Sequence, residues 1–168
     1  MTLPTIHHIE HIIFPKPDAF QLQNGITAYG FNGVKNDILR VEMVFDAGRW
    51  TEQFPLQAEF AARLLKSGTT HLSAFEIEEK IDSFGSTVKC DAGNNTVTLS
   101  VYCMNKYLEQ TLEVVLDCLN NCVYHHHEME IFKSRKIANL SVAQEKNDYL
   151  ADALFRNPLF GPTHRVGY

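Results

Sequence analysis

FDAGRWTEQFPLQAEFAARLLKSGTTHLSAFEIEEKIDSFGSTV, residues 45–88, holds two helix starts and two helix stops in one short run. Pro55 suits the first position of a helix, where a backbone N–H has no intrahelical acceptor. Leu56, Phe60, Leu64 and Leu65 then share one face until Gly68 ends the run, so the pattern predicts a helix over residues 56–67. The second start is more explicit. Ser73 with Glu76 three residues on makes a capping box, Ile77, Ile81 and Phe84 keep the helical period, and Gly85 takes the position just past the C-terminus.

Outward from this pair the period changes from helix to strand. Downstream, Thr87 to Asp91 and Thr96 to Cys103 flank the turn Ala92-Gly93-Asn94-Asn95, and Val97, Leu99, Val101 and Cys103 alternate with Thr96, Thr98, Ser100 and Tyr102. That is a hairpin. Upstream, the run Ile26 to Phe31 and the alternating Leu39, Val41, Met43 and Phe45 predict a second, hairpin-like pair, with Gln23-Asn24-Gly25 a turn before it. Beyond the hairpin, Leu108, Leu112, Val115, Leu116, Leu119 and Cys122 form an apolar helical stripe, and another single helix is expected from about Glu128 toward Asn147, with room to run on to Arg156. The order β-β-α-α-β-β-α-α predicts an α+β fold, a mostly antiparallel sheet with helices packed on one face. Pro4, Pro15 and Pro17 make residues 1–18 an extended N-terminal arm, leaving 19–168 as a single domain. The closing stretch NPLFGPTHRVGY has no closing element, so the chain is expected to be part of something longer.

Composition narrows the function classes. The 168 residues carry 15 Lys+Arg against 20 Asp+Glu, a net charge of −5 that offers no basic excess for nucleic acid or an anionic membrane surface. The N-terminus lacks the basic, apolar and small-residue zones of a secretory signal, and the default location is the cytoplasm. Four cysteines in a chain of this size are read as small buried hydrophobes.

Two histidine clusters invite a metal reading. His7-His8-Ile9-Glu10-His11 is a literal H-x-x-E-H, which on a helix places His7 and His11 on one face for zinc with Glu10 as the base. The context opposes it: Pro15 follows closely, and the acid expected roughly 75 residues on would fall near Ser86. An extended polar arm is the favoured account. His125-His126-His127-Glu128 has diverging side chains and no spaced fourth ligand, and reads as a solvated loop entering a helix whose dipole Glu128 and Glu130 complement.

Residues 45–88 also carry a resemblance. With Phe20-Gln21-Leu22-Gln23-Asn24-Gly25-Ile26 before them and Asn157-Pro158-Leu159-Phe160-Gly161 after, they resemble the insulinase and mitochondrial processing peptidase family, pitrilysin-type inverted-zincin metallopeptidases. Ala47-Gly48, Glu52 and Lys66-Ser67-Gly68-Thr69 bracket the place of that family's zinc helix. Alignment on Gly68-Thr69 puts the family's first histidine at Glu59, its catalytic glutamate at Ala62 and its second histidine at Arg63. The third ligand falls near Ala138, and residues 134–144 contain no Asp, Glu, His or Cys. The resemblance therefore implies a degenerate motif with no catalytic residue, no bound zinc and no other cofactor in this chain, although zinc serves the active members. Glu59 and Arg63, i and i+4 in the favourable order, are expected to pair at about 0.3–0.5 kcal/mol.

The family's peptidases close two similar halves or subunits around a peptide, and one half is zinc-free. The resemblance implies a non-catalytic wall of such a chamber, working with an active homologous subunit or second lobe, or self-associating, and holding a peptide substrate. The alternative is a non-proteolytic interaction or scaffold protein on the same fold. A zinc peptidase built on His7, Glu10 and His11 is the least favoured reading.

Overall fold

The computed structural model describes residues 14–32, 36–161 and 164. The chain divides into two compact units, one ending at Asn36 and one beginning at Asp37.

The first unit contains β1 (Asp18–Gln21) and β2 (Thr27–Gly30), paired antiparallel from Asp18↔Gly30 to Gln21↔Thr27. The anticipated turn joins them. Gly25, at φ +83, donates to the Leu22 carbonyl at 2.9 Å, and the Asn24 side-chain oxygen accepts from the Ile26 N–H at 3.1 Å. The pairing of residues 26–31 with 39–45 is overturned, because β2 takes β1 as its partner.

The second unit contains β3 (Ile38–Phe45), α1 (Gln57–Arg63), α2 (Ala74–Ser83), β4 (Thr87–Ala92), β5 (Val97–Met104), α3 (Leu108–Asn121), α4 (His126–Gln144) and α5 (Asn147–Phe160). Its antiparallel sheet has the order β3-β5-β4. In β3 and β5 the inward residues meet in register, Leu39 opposite Cys103, Val41 opposite Val101 and Met43 opposite Leu99. From the other side Val88 faces Val101 and Cys90 faces Leu99. This is why β3 seeks β5: an alternating strand buries one face only beside a strand whose inward residues lie over the same helices.

The core is that face closed by α2 and α3. Ile77, Leu99, Val101 and Thr111 have no or almost no exposed surface, and Ile81, Val114, Val115 and Cys118 complete the layer. Thr111 is tolerated there because its hydroxyl donates to the Tyr107 carbonyl at 2.7 Å and accepts from Ser86 at 2.9 Å. The outer face is polar, with Arg40 paired to Glu42 and lying over the Tyr102 ring.

Helix α2 follows its sequence closely. Ser73 and Glu76 exchange both bonds of the capping box, and Gly85 ends the helix at φ +60. Helix α1 does not. It begins at Gln57 rather than Pro55, and Leu56 is exposed at the N-cap in a left-handed conformation, φ 70, instead of on the apolar face. It stops at Arg63 because residues 64–69 turn away to meet the end of α3: the Cys122 thiol donates toward the Leu64 and Leu65 carbonyls, and the Val123 N–H donates to the Gly68 carbonyl at 2.9 Å. Beyond α3, the sequence places one helix where the structure has two, α4 and α5. No described helix is long and apolar enough to cross a membrane.

Candidate functional site

The site sought in the sequence lies on α1, and Glu52 sets where that helix starts. One oxygen of its carboxylate accepts from the Leu56 N–H and the other from the Ala58 N–H, each at 3.1 Å, so a side chain upstream supplies the cap that Leu56 lacks. The approach to Glu52 is pinned as well. Arg49 and Trp50 donate backbone bonds to Gly93 and Asn94 in the β4–β5 turn, and Gly48 donates to Asn95. A Cβ on Gly48 would stand 2.3 Å from the Asn94 oxygen, so only glycine allows this approach.

The first motif position, Glu59, is turned toward α4. The Lys136 ammonium donates to both of its carboxylate oxygens, at 2.7 and 2.8 Å, and the Arg49 guanidinium stands 4.0 Å away. The side chains of Glu59 and Lys136 are only 17% and 25% exposed, so this pair is partly withdrawn from water. Alongside it the Phe60 and Phe132 rings meet edge to face at 4.5 Å. Phe132 and Lys136, one turn apart on α4, form a single docking face for Glu59 and Phe60.

The expected Glu59–Arg63 pair is therefore replaced by a Glu59–Lys136 pair. The signal for Lys136 was in the sequence, two residues before Ala138, but it is visible only when a cation rather than a ligand is sought there. Ala138 itself is exposed on α4.

Ala62 is buried and brings no donor atom. Arg63 is exposed and lines an open groove of about 560 Å³ between the end of α1 and β4, together with Lys66, Lys89, Cys90 and Asp91. Burial pushes the Cys90 thiol up to about 11, helped by the Asp91 charge and opposed by Arg63, so it stays protonated near neutrality. Strand β4 is the edge of its sheet, so one side of its backbone has no strand partner among the described residues.

These residues do not fit zinc. Glu59 already receives an ammonium on both oxygens, Ala62 has nothing to offer, and a guanidinium does not lose its proton to become a ligand. Among the described residues no group of three or more His, Cys, Asp or Glu is arranged to hold a metal ion. His7, His8, Glu10 and His11 lie outside the described residues. His125 is the N-cap residue of α4 and His126 and His127 open it, all three exposed, with Glu128 in the first turn.

A second polar cluster anchors the α1–α2 loop to α3. Asp117 accepts from the Thr69 hydroxyl at 2.6 Å and from the Asn121 amide at 2.8 Å, and pairs with His71 at 2.7 Å. The Thr69 bond is the main reason its carboxyl sits below the usual carboxylate range, with Asn121 and His71 adding to it.

An antiparallel sheet backed by helices, with a short motif helix beside an edge strand, defines the class, and comparison with known proteins gives the family. Residues 34–165 match the model for insulinase (peptidase family M16), and the chain belongs to that family. Its fold is similar to the inactive domain of a peptidase M16 from Pseudomonas fluorescens, with a TM-score of 0.80 at 13% identity over 90% of this chain and 37% of that one. It is also similar to a protease from Helicobacter pylori, with a TM-score of 0.61 at 19% identity over 79% of this chain and 31% of that one. At such identities the likeness is one of fold, and this chain spans about a third of the length of either structure. No curated protein sequence matches it.

Proposed function

We propose that this chain is a zinc-free wall of an insulinase-type peptide chamber, acting with a catalytically active homologous subunit or second lobe. The carrying observation is the Glu59–Lys136 pair. At the position where the resemblance places a metal ligand, the structure has a charge pair that joins α1 to α4 and takes up both carboxylate oxygens of Glu59.

The pair supports a helix that keeps its packing role. A zinc ion that binds residues from two helices ties them together, and a two-oxygen ammonium bridge does the same with side chains alone. The groove beside Arg63 and the open edge of β4 suit an extended peptide, held by backbone hydrogen bonds and therefore tolerant of sequence. The similarity to an inactive M16 domain is in keeping with this role.

A mixing assay tests it. Quenched peptides are incubated with the chain, with an active family member lacking its own inactive half, and with both. Cleavage that rises only in the mixture is the expected result, and elemental analysis of the purified chain should find no stoichiometric zinc. Cleavage by the active member that ignores the chain would favour a scaffold role on the same fold. Stoichiometric zinc that is lost on His7→Ala would overturn the zinc-free reading.

A further inference from the structure

The groove between α1 and β4 has an electrostatic character that the rest of the chain does not share. The protein as a whole is acidic, at −5, yet the charged side chains that the groove receives from the end of α1 are Arg63 and Lys66, while Lys89 and Asp91 flank Cys90 on β4 and point to the outer face of the sheet beside Ser100 and Thr98. Lys66 is neutralised by Glu78 at 2.7 Å. Arg63 is exposed and forms no ion pair among the described residues. Arg63 is the last residue of α1, where the negative end of the helix dipole favours a cation. It lines the groove together with Cys90 of the edge strand, while Glu59 is taken by Lys136.

We propose that this groove takes an extended peptide segment carrying an Asp or Glu side chain, with Arg63 receiving the carboxylate. The inference rests on the peptide-chamber reading above and adds the substrate class. Two features on one surface carry it. The β4 edge supplies backbone donors and acceptors for any extended chain, and the adjacent unpaired guanidinium supplies a planar fork matched to a carboxylate. A carboxylate in the peptide restores locally the charge balance that the groove lacks.

The test uses fluorescence anisotropy of the purified chain with three labelled peptides of equal length: one with a central Glu, its Gln analogue, and the Glu peptide with N-methylated backbone amides. The Glu peptide is expected to bind about fivefold tighter than the Gln peptide, the scale of one exposed charge pair. That advantage should shrink as salt is raised, vanish in Arg63→Gln, and partly return in Arg63→Lys. N-methylation should abolish binding of the Glu peptide, because the edge contacts are lost. Equal binding of the Glu and Gln peptides, with loss on N-methylation, would overturn the acidic preference and leave the chamber wall standing. An acidic preference unchanged in Arg63→Gln would overturn the role of Arg63. Binding by none of the peptides would sink both this inference and the reading beneath it.

Discussion

Helices α1 and α2 are neighbours in sequence, yet they are held in opposite ways. Helix α2 carries its own instructions: Ser73 and Glu76 cap it reciprocally, Gly85 ends it, and Ile77 and Ile81 seal it into the core. Helix α1 is seven residues long and held from elsewhere, by Glu52 at its start, by Cys122 at its end and by Lys136 on its flank. A helix that short has little stability of its own, so its position depends on what clamps it. In this family that is the helix where the resemblance places the metal. The contrast shows that a helix with no cap of its own keeps its place when side chains from three other segments hold it.

The sharpest contrast comes from the side that needs no partner. Ile77→Ala, at a position with 0% exposure, is expected to cost about 2–5 kcal/mol, read as a lower denaturant midpoint with unchanged slope. A loss under about 1 kcal/mol would mean that α2 contributes far less to the core than its burial indicates.

The α1 clamp ranks next. Glu59→Gln or Lys136→Met alone should each destabilise by about 1–3 kcal/mol, because the first leaves the Lys136 ammonium mostly buried without its carboxylate and the second leaves Glu59 only the Arg49 guanidinium at 4.0 Å. The double substitution should cost less than the sum of the two, and a double-mutant cycle in chemical denaturation measures the difference. Additive losses would show that the two charges stabilise the fold independently.

The caps follow. Ser73→Ala and Glu52→Ala are each expected to cost about 1 kcal/mol. They should differ in where the loss is felt. Hydrogen exchange should speed up at Glu76 in the first variant and at Leu56 and Ala58 in the second.

The smallest effect concerns pH. Asp117 is held below the usual carboxylate range, so its contribution is complete above the ordinary Asp pKa and is lost as pH falls through its own lowered value. Melting temperature should therefore fall more steeply with acidification in the wild type than in Asp117→Asn. Parallel curves would show that the Thr69 and Asn121 bonds do not tune this carboxyl.

Much of the second unit was legible residue by residue. The alternation from Val97 to Cys103 identified β5 and its inward face, and the Ser73–Glu76 spacing located α2 to within a residue. The partner of β3 was not legible, because a period of two marks a strand and its buried face but not which strand lies beside it. The helix after α3 was anticipated only in outline. No residue of α4 or α5 is buried, so neither carries the apolar stripe that would have separated them.

The candidate site divides in the same way. Its address on Glu59, Ala62 and Arg63 came from the resemblance in residues 45–88, and the unsuitability of Ala62 and Arg63 as ligands followed from their chemistry alone. Their partners did not. On sequence, Arg63 was the nearest cation to Glu59, one helical turn away. In the structure α4 brings Lys136 onto Glu59 across a separation of 77 residues, and Arg63 is left over the groove.

By itself, then, the sequence determined the α+β class, the caps and periods of α2, β4 and β5, and the unsuitability of Ala62 and Arg63 as metal ligands. Each of these depends on interactions within a few residues, where chain connectivity already holds the groups together. Tertiary structure decided that β3 pairs with β5, that Lys136 takes Glu59, and that Arg63 is left over the groove beside β4. Those choices are made between groups far apart in the chain, where the cost of closing a loop grows slowly with its length and the better-fitting partner prevails over the nearer one.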